Sequence, residues 1–324
     1  MPGSLDRLRG WVRLKDASFF FYFAARLLSG VLGVVTIRYV VGFLPRAEYG
    51  EWGYLTVLGS MLVPVVTLAL PQAMMRMYFD HREDAREEQR ALVTSVALAN
   101  LTGALALGGI ALGLWALGVQ RGIVALFLGV VVTGRVAASF TQYLTRTRND
   151  YGLFFFVTVF EPVVYLGFLV AAGAWLDAAA APRGARIVWL TGSLAATVWF
   201  TVVVAAAYYV RRGLISRDAR RYTRAEYRSL LAYSLPLIPT FFLGWVLSSS
   251  DIWVLRSLSS LGETADYVFA TKIVSVVALV QQSALVDWPR FYYAKMRDGG
   301  PTRDADIAAR VRKFLLLHVV TVLG

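Results

Sequence analysis

From Leu92 to Leu117 no residue carries a charge, and the same holds from Ile187 to Val210. Runs of this length constrain the fold more than any short motif does. At about 1.5 Å per residue, each can cross the roughly 30 Å hydrocarbon layer of a bilayer as one helix. Backbone N–H and C=O groups find no water there, so a spanning segment must be a helix or part of a closed barrel. The short alternating strands of a barrel are absent. Only 17% of the 324 residues are charged and 57% are hydrophobic, too little charge to clothe a soluble fold of this size. The expected fold class is therefore an all-α polytopic membrane protein. About nine spans are expected, near 18–44, 52–75, 91–117, 122–145, 152–176, 186–210, 231–257, 265–289 and 307–324.

The connections alternate in charge. Lys and Arg crowd the N-terminal arm (Arg7, Arg9, Arg13, Lys15) and the even-numbered connections, the sixth and eighth above all. The odd-numbered ones hold only Arg46, Arg121, Arg183, Arg186 and Arg256. Such asymmetry orients a polytopic chain with its basic side, and here its N-terminus, in the cytoplasm. The net charge of +12 is thus topological, and nucleic acid is not an expected partner. Segment Ser4–Asp16 reads as a surface helix, with Leu5, Leu8, Trp11 and Leu14 on one face, or as a plain basic flank.

The chain also repeats itself 218 residues apart. Ala47-Glu48-Tyr49 recurs as Ala265-Asp266-Tyr267, and at the same offset Arg38 meets Arg256 and Pro71 meets Pro289. A repeat on this scale in an apolar chain marks transporters built from two related halves. The organisation expected is a basic arm over 1–17, a six-helix bundle over 18–210, a cytoplasmic linker over 211–230 and a second bundle over 231–324. The second copy holds fewer spans than the first, so a truncated second bundle of a longer protein is expected.

Four basic residues fall inside spans: Arg26, Arg38, Arg135 and Lys272. Arg38 is close enough to a helix end to snorkel. A charge at the depth of the other three costs about 2.5–3.5 kcal/mol on insertion scales and persists beside a partner or a wet cavity. Glu161 and Asp251 are candidate ion-pair or ion-coupling groups. Read together, these residues are either ion pairs locking helices or a cavity with an excess of cations, suited to an anionic headgroup such as phosphate. Gly30 and Gly33 share a stripe with Arg26. Thr240, Gly244, Ser248 and Asp251 form a polar stripe on span seven, and Ser275 and Gln282 share an arc with Lys272. Phe19–Phe23 and Phe154–Phe156 read as lipid-facing or interfacial anchors. Pro64, Pro71, Pro162, Pro236, Pro239 and Pro289 are candidate bends.

No catalytic set emerges, so the chain does not read as an enzyme. It has no Cys and two His, His81 and His318, no Gly-rich phosphate loop and no metal-ligand spacing. No cofactor or metal is expected.

The stretch Tyr233-Ser234-Leu235-Pro236-Leu237-Ile238-Pro239, then Trp245, Asp251, Gly262, Tyr267, Lys272 and Trp288-Pro289, resembles the polysaccharide biosynthesis (Wzx-type) flippases. The block Leu44-Pro45, Ala47-Glu48-Tyr49-Gly50 and Gly53-Tyr54 is similar to that family's first outer hairpin. The chain departs from the pattern at Ile252, often Arg in the family, and at Asp287, usually apolar there. The family belongs to the multidrug/oligosaccharidyl-lipid/polysaccharide exporter superfamily. The resemblance implies two six-helix bundles in the bacterial cytoplasmic (inner) membrane. It implies transport of a polyprenyl-pyrophosphate-linked oligosaccharide between leaflets for O-antigen or other lipopolysaccharide assembly. Membrane lipid and polysaccharide polymerase and export proteins are the partners it implies. Arg26, Arg135 and Lys272 are the expected headgroup-binding residues. A multidrug or organic-ion antiporter of the same superfamily, or a membrane glycan polymerase, are the alternatives.

Overall fold

The computed structural model describes residues 17–80, 86–119, 122–178, 184–215, 222–285, 288–298, 300 and 303–323. Ser4–Asp16, His81 and Asp287 lie outside the described residues, as do the side chains of Ser275, Gln282 and His318. Every regular element among the described residues is helical: α1 (Ala17–Phe43), α2 (Arg46–Val66), α3 (Leu70–Asp80), α4 (Arg86–Ala116), α5 (Gly122–Arg148), α6 (Tyr151–Ala178), α7 (Ala185–Arg211), α8 (Arg224–Ser234), α9 (Leu237–Leu258), α10 (Leu261–Leu285), α11 (Trp288–Asp298) and α12 (Arg303–Leu323).

The chain is a polytopic helical membrane protein. Among the described residues six helical segments are long and apolar enough to span, or seven when the bent pair α2–α3 counts as one. Helices α10 and α12 stand where spans eight and nine are expected. The sixth connection is shorter than the expected 211–230 linker, because α8 already begins at Arg224. A capping box starts it there: the Thr223 hydroxyl accepts from the Glu226 amide, and the Glu226 carboxylate accepts from the Thr223 amide. Helices α8 and α9 then form one span across Pro236.

Helix α1 lies along α6, α6 packs on α7, α7 on α5, and α5 on α4. Two apolar clusters stack along this bundle. One joins Leu55, Phe127, Val131, Tyr165, Leu190 and Val198; the other joins Met74, Leu92, Val96, Leu144, Tyr209 and Leu230. Hydroxyls that would be orphaned in an apolar interior bond back to their own helix. On α7, Thr191, Thr197 and Thr201 each donate to the carbonyl four residues earlier, at 2.8–2.9 Å. Large apolar side chains left on the outside, such as Leu98, Leu105 and Ile110 on α4, face where lipid would lie.

The aromatic expectation is corrected here. Tyr22 and Phe154 are buried against each other, rings 4.7 Å apart and edge-on, and Phe21 stacks on Tyr151 at 5.0 Å. Tyr22 and Phe154 thus zip α1 to α6 instead of facing lipid, because edge-to-face pairs hold two helices in a fixed register, while Phe21 and Tyr151 stay exposed.

Span two is broken. Pro64 lacks the N–H of a helical ladder and crowds the preceding turn. Downstream, Leu68 and Ala69 adopt left-handed backbone (φ 50° and 51°), and α3 leaves α2 at 43°. Two consecutive non-glycine residues in that region carry strain of about 1–2 kcal/mol each. The buried surroundings of Ala69, Leu70 and Ala73 hold them there.

Candidate functional site

The site begins with a defect in α5. Residues Phe127–Val132 form a π-helical stretch. The wider turn disturbs the i→i−4 ladder, and outside groups take up its carbonyls: the Trp199 indole donates to the Val130 carbonyl at 2.9 Å, and the Thr133 hydroxyl to that of Gly129 at 2.8 Å. An inserted residue also rotates everything downstream by about 100° around the helix. Arg135 follows within one turn, so the π stretch sets the direction in which it points.

Arg135 lines a cavity of about 370 Å³ between α2, α5 and α7, with Thr56, Ser60, Ser139 and Gln142 supplying the polar wall and Phe127, Val131 and Leu194 the apolar one. It is the only charged residue among the described lining residues. Glu161 of α6 pairs with it at 2.6 Å. Glu161 is well buried and Arg135 half-buried, so the pair is only partly screened by solvent.

Arg26 reaches the same neighbourhood from α1. Its guanidinium lies over the Phe154 ring at 5.7 Å, one turn along from Tyr22, whose hydroxyl donates to the Thr145 carbonyl at 3.3 Å. Glu161 and Arg146 are both within coulombic reach of it, and its Nε is buried without a hydrogen-bond partner. A buried donor in that condition is uncommon in native structures. Beside it on the helix, a Cβ placed on Gly33 would meet nothing within 4 Å. Lys272 is half-buried on α10, the helix that packs on α1 and α2. Neither Arg26 nor Lys272 lines the 370 Å³ cavity. Glu161 thus pairs with Arg135 and is in coulombic reach of Arg26, while Lys272 stands on α10.

Asp251 sits apart from them. It is exposed on α9, accepts from the Tyr267 hydroxyl of α10 and from the Ile252 amide, and so ties the two helices together. The polar stripe it belongs to is open: Thr240, Gly244, Ser248 and Asp251 are all exposed, and a Cβ on Gly244 would meet nothing within 4 Å.

Motif reading did not single out the seam between the two repeated blocks. The first turns of α2 and α10 run side by side. Arg46 pairs with Asp266, donating from Nε to Oδ1 at 3.1 Å. A Cβ on Gly50 would fall 2.1 Å from the Leu261 carbonyl oxygen, and one on Gly53 would fall 2.8 Å from the Val268 methyls. Contacts advance together along both helices, so α2 and α10 are parallel, as a two-fold axis along the membrane normal requires of related halves. Deeper in, the Trp245 indole of α9 donates to the Val57 carbonyl at 3.1 Å.

Solved structures with the same arrangement exist. A MOP superfamily transporter from Pyrococcus furiosus Vc1, for which a binding pocket of reverse polarity is described, superposes with a TM-score of 0.64 at 12% identity over 94% of this chain and 70% of its own. A MATE transporter in complex with MaD3S superposes with a TM-score of 0.64 at 13% identity, over 94% of this chain and 71% of its own. This chain shares the fold of these two transporters. No protein-family model matches the sequence, and no curated protein is similar to it at the sequence level. Within this fold, the blocks 218 residues apart become the two sides of one seam, and the cavity at Arg135 lies further along α2.

Proposed function

We propose that the chain is a transporter of lipid-linked oligosaccharide, moving a polyprenyl-pyrophosphate-linked glycan between leaflets by alternating access for surface polysaccharide assembly. The observation that carries this reading is the buried, unpartnered Nε of Arg26, close to a cavity whose charged lining residue is Arg135. A pyrophosphate is an acceptor-only dianion and would satisfy both guanidinium groups, with Lys272 adding charge from α10. The glycan would occupy the polar wall of Thr56, Ser60 and Gln142, while the polyprenyl tail stays in the bilayer.

The test is transfer of a labelled lipid-linked sugar in proteoliposomes. Arg26→Ala and Lys272→Ala should each slow it by about tenfold or more, the loss expected for a charge-assisted contact. Normal transfer by both variants would remove the headgroup assignment.

A second reading is export of organic ions or drugs. The Arg135–Glu161 pair favours it, because it cancels the cavity's formal charge. Tight binding of cationic dyes, without binding of polyprenyl pyrophosphate, would select it.

A further inference from the structure

A second cavity, of about 590 Å³, opens at the arginine-rich end of the bundle. Its described lining includes Arg86, Arg90, Arg148, Arg212 and Arg297 and no carboxylate. The five arginines come from four separate places: the first turn of α4, the end of α5, the end of α7, and α11. Orientation in the membrane needs basic residues on one side but does not need them to converge on a hollow. Here they do.

Local contacts hold several of them in place. Arg148 donates to the Tyr78 hydroxyl at 2.8 Å, Arg212 lies over the Tyr208 ring at 5.1 Å, and Arg90 rests against the turn at Gly213, whose φ of 67° suits glycine. The wall also carries Gln89, Thr147 and Asn149. Asp150 is in coulombic reach of Arg148 and Arg212. Burial pushes its carboxyl above the usual range, while those arginines pull it down. Five guanidinium groups and no carboxylate among the described lining residues give the cavity wall a positive character. Arg86, Gln89 and Arg90 also sit at the positive end of the α4 dipole. The volume falls in the range of about 300–1,000 Å³ typical of small-molecule sites.

We infer that this arginine-lined cavity is a binding site for a multiply charged phosphate or pyrophosphate group, separate from the Arg26–Arg135 site. Guanidinium forks match phosphate oxygens in pairs, and five around one hollow exceed what a monoanion needs. Arg297 comes from α11, in the second copy of the repeat, whereas the other four come from the first half. A bound phosphate would therefore link the two halves at this end. The inference holds whatever cargo the other cavity moves. The group could belong to a lipid headgroup or to a free solute.

The test uses the full chain in phosphatidylcholine nanodiscs. One arm titrates inorganic pyrophosphate by calorimetry; the other adds phosphatidic acid to the discs and weighs retained lipid by native mass spectrometry. Wild type should bind at least one probe. Arg90→Gln with Arg212→Gln should weaken that binding about a hundredfold, near tenfold per arginine. Arg90→Lys with Arg212→Lys keeps the charge and should retain most of it. Arg297→Gln, an exposed change on α11, should cost about tenfold and serves if the double variant fails to fold. Loss in the pyrophosphate arm assigns a soluble ligand, and loss only in the lipid arm assigns a headgroup. No binding of either probe by wild type, or equal binding by wild type and every Gln variant, overturns the site.

Discussion

The two ends of the molecule close by different means. At the end with few basic residues, α2 and α10 touch almost backbone to backbone at Gly50, with Gly53 against the Val268 side chain and one exposed ion pair beside them. At the arginine-rich end, α3, α8 and α11 meet through long side chains. Arg76 lies over the rings of Tyr233 and Tyr293, at 5.4 and 5.8 Å, and the two tyrosine hydroxyls share a hydrogen bond of 2.9 Å. Glycine contacts exist at one separation only, since nothing flexible can follow a retreating partner. Arginine and tyrosine contacts can stretch, re-form and admit water. The seam should therefore behave as a two-position contact and the basic end as a yielding one.

Substitutions can break or sharpen that contrast. Gly50→Ala should have the largest effect. Its Cβ, fixed rigidly to the α2 backbone, meets a backbone carbonyl of α10 at 2.1 Å, so the helices must separate. The cost of overpacking, about 1–3 kcal/mol, outweighs the gain of about 1 kcal/mol in helix propensity. Thermal unfolding should shift down, and disulfide formation between Arg46→Cys and Asp266→Cys should slow. An unchanged cross-linking rate would mean the seam is not a close backbone contact. Arg76→Ala comes next, at about 1–2 kcal/mol for two cation–π contacts, read as a lower unfolding midpoint without change at the seam. Gly53→Ala should cost less than Gly50→Ala, because its obstacle is a valine side chain that can change rotamer. Comparing the two unfolding curves checks the ranking. Arg46→Ala should cost at most about 1 kcal/mol, because both partners are more than half exposed. A double-mutant cycle with Asp266→Ala isolates that value.

The long uncharged runs made the helices legible, since a bilayer leaves the backbone few choices. The 218-residue repeat likewise pointed to α2 and α10 before any contact was known. What the spans hid was depth and direction. A π stretch has no sequence signature in Phe127–Val132, an ordinary apolar hexamer, yet it decides where Arg135 points. Tyr22 and Phe154 look like any membrane aromatics, and only the packing of α1 on α6 shows them to be interior. Glu161 could be named as a partner for a buried cation because so few acids lie inside spans. Which cation it meets depended on helix rotation, which composition does not encode. The converging arginines at the basic end were masked for a related reason: each satisfies the positive-inside rule singly, and only the fold brings them together.

The left-handed pair Leu68–Ala69 works as a lever. Helix α3 is 11 residues long, or about 16 Å. A bend of 43° at its root therefore carries its far tip about 11 Å sideways from where an unbroken helix would end. Arg76 rides on that arm, as do Tyr78 and Phe79 of the arginine-lined cavity. A change of a few degrees at two strained residues would move them by an ångström or more, enough to make or break the tyrosine contacts while the rest of the bundle stands still.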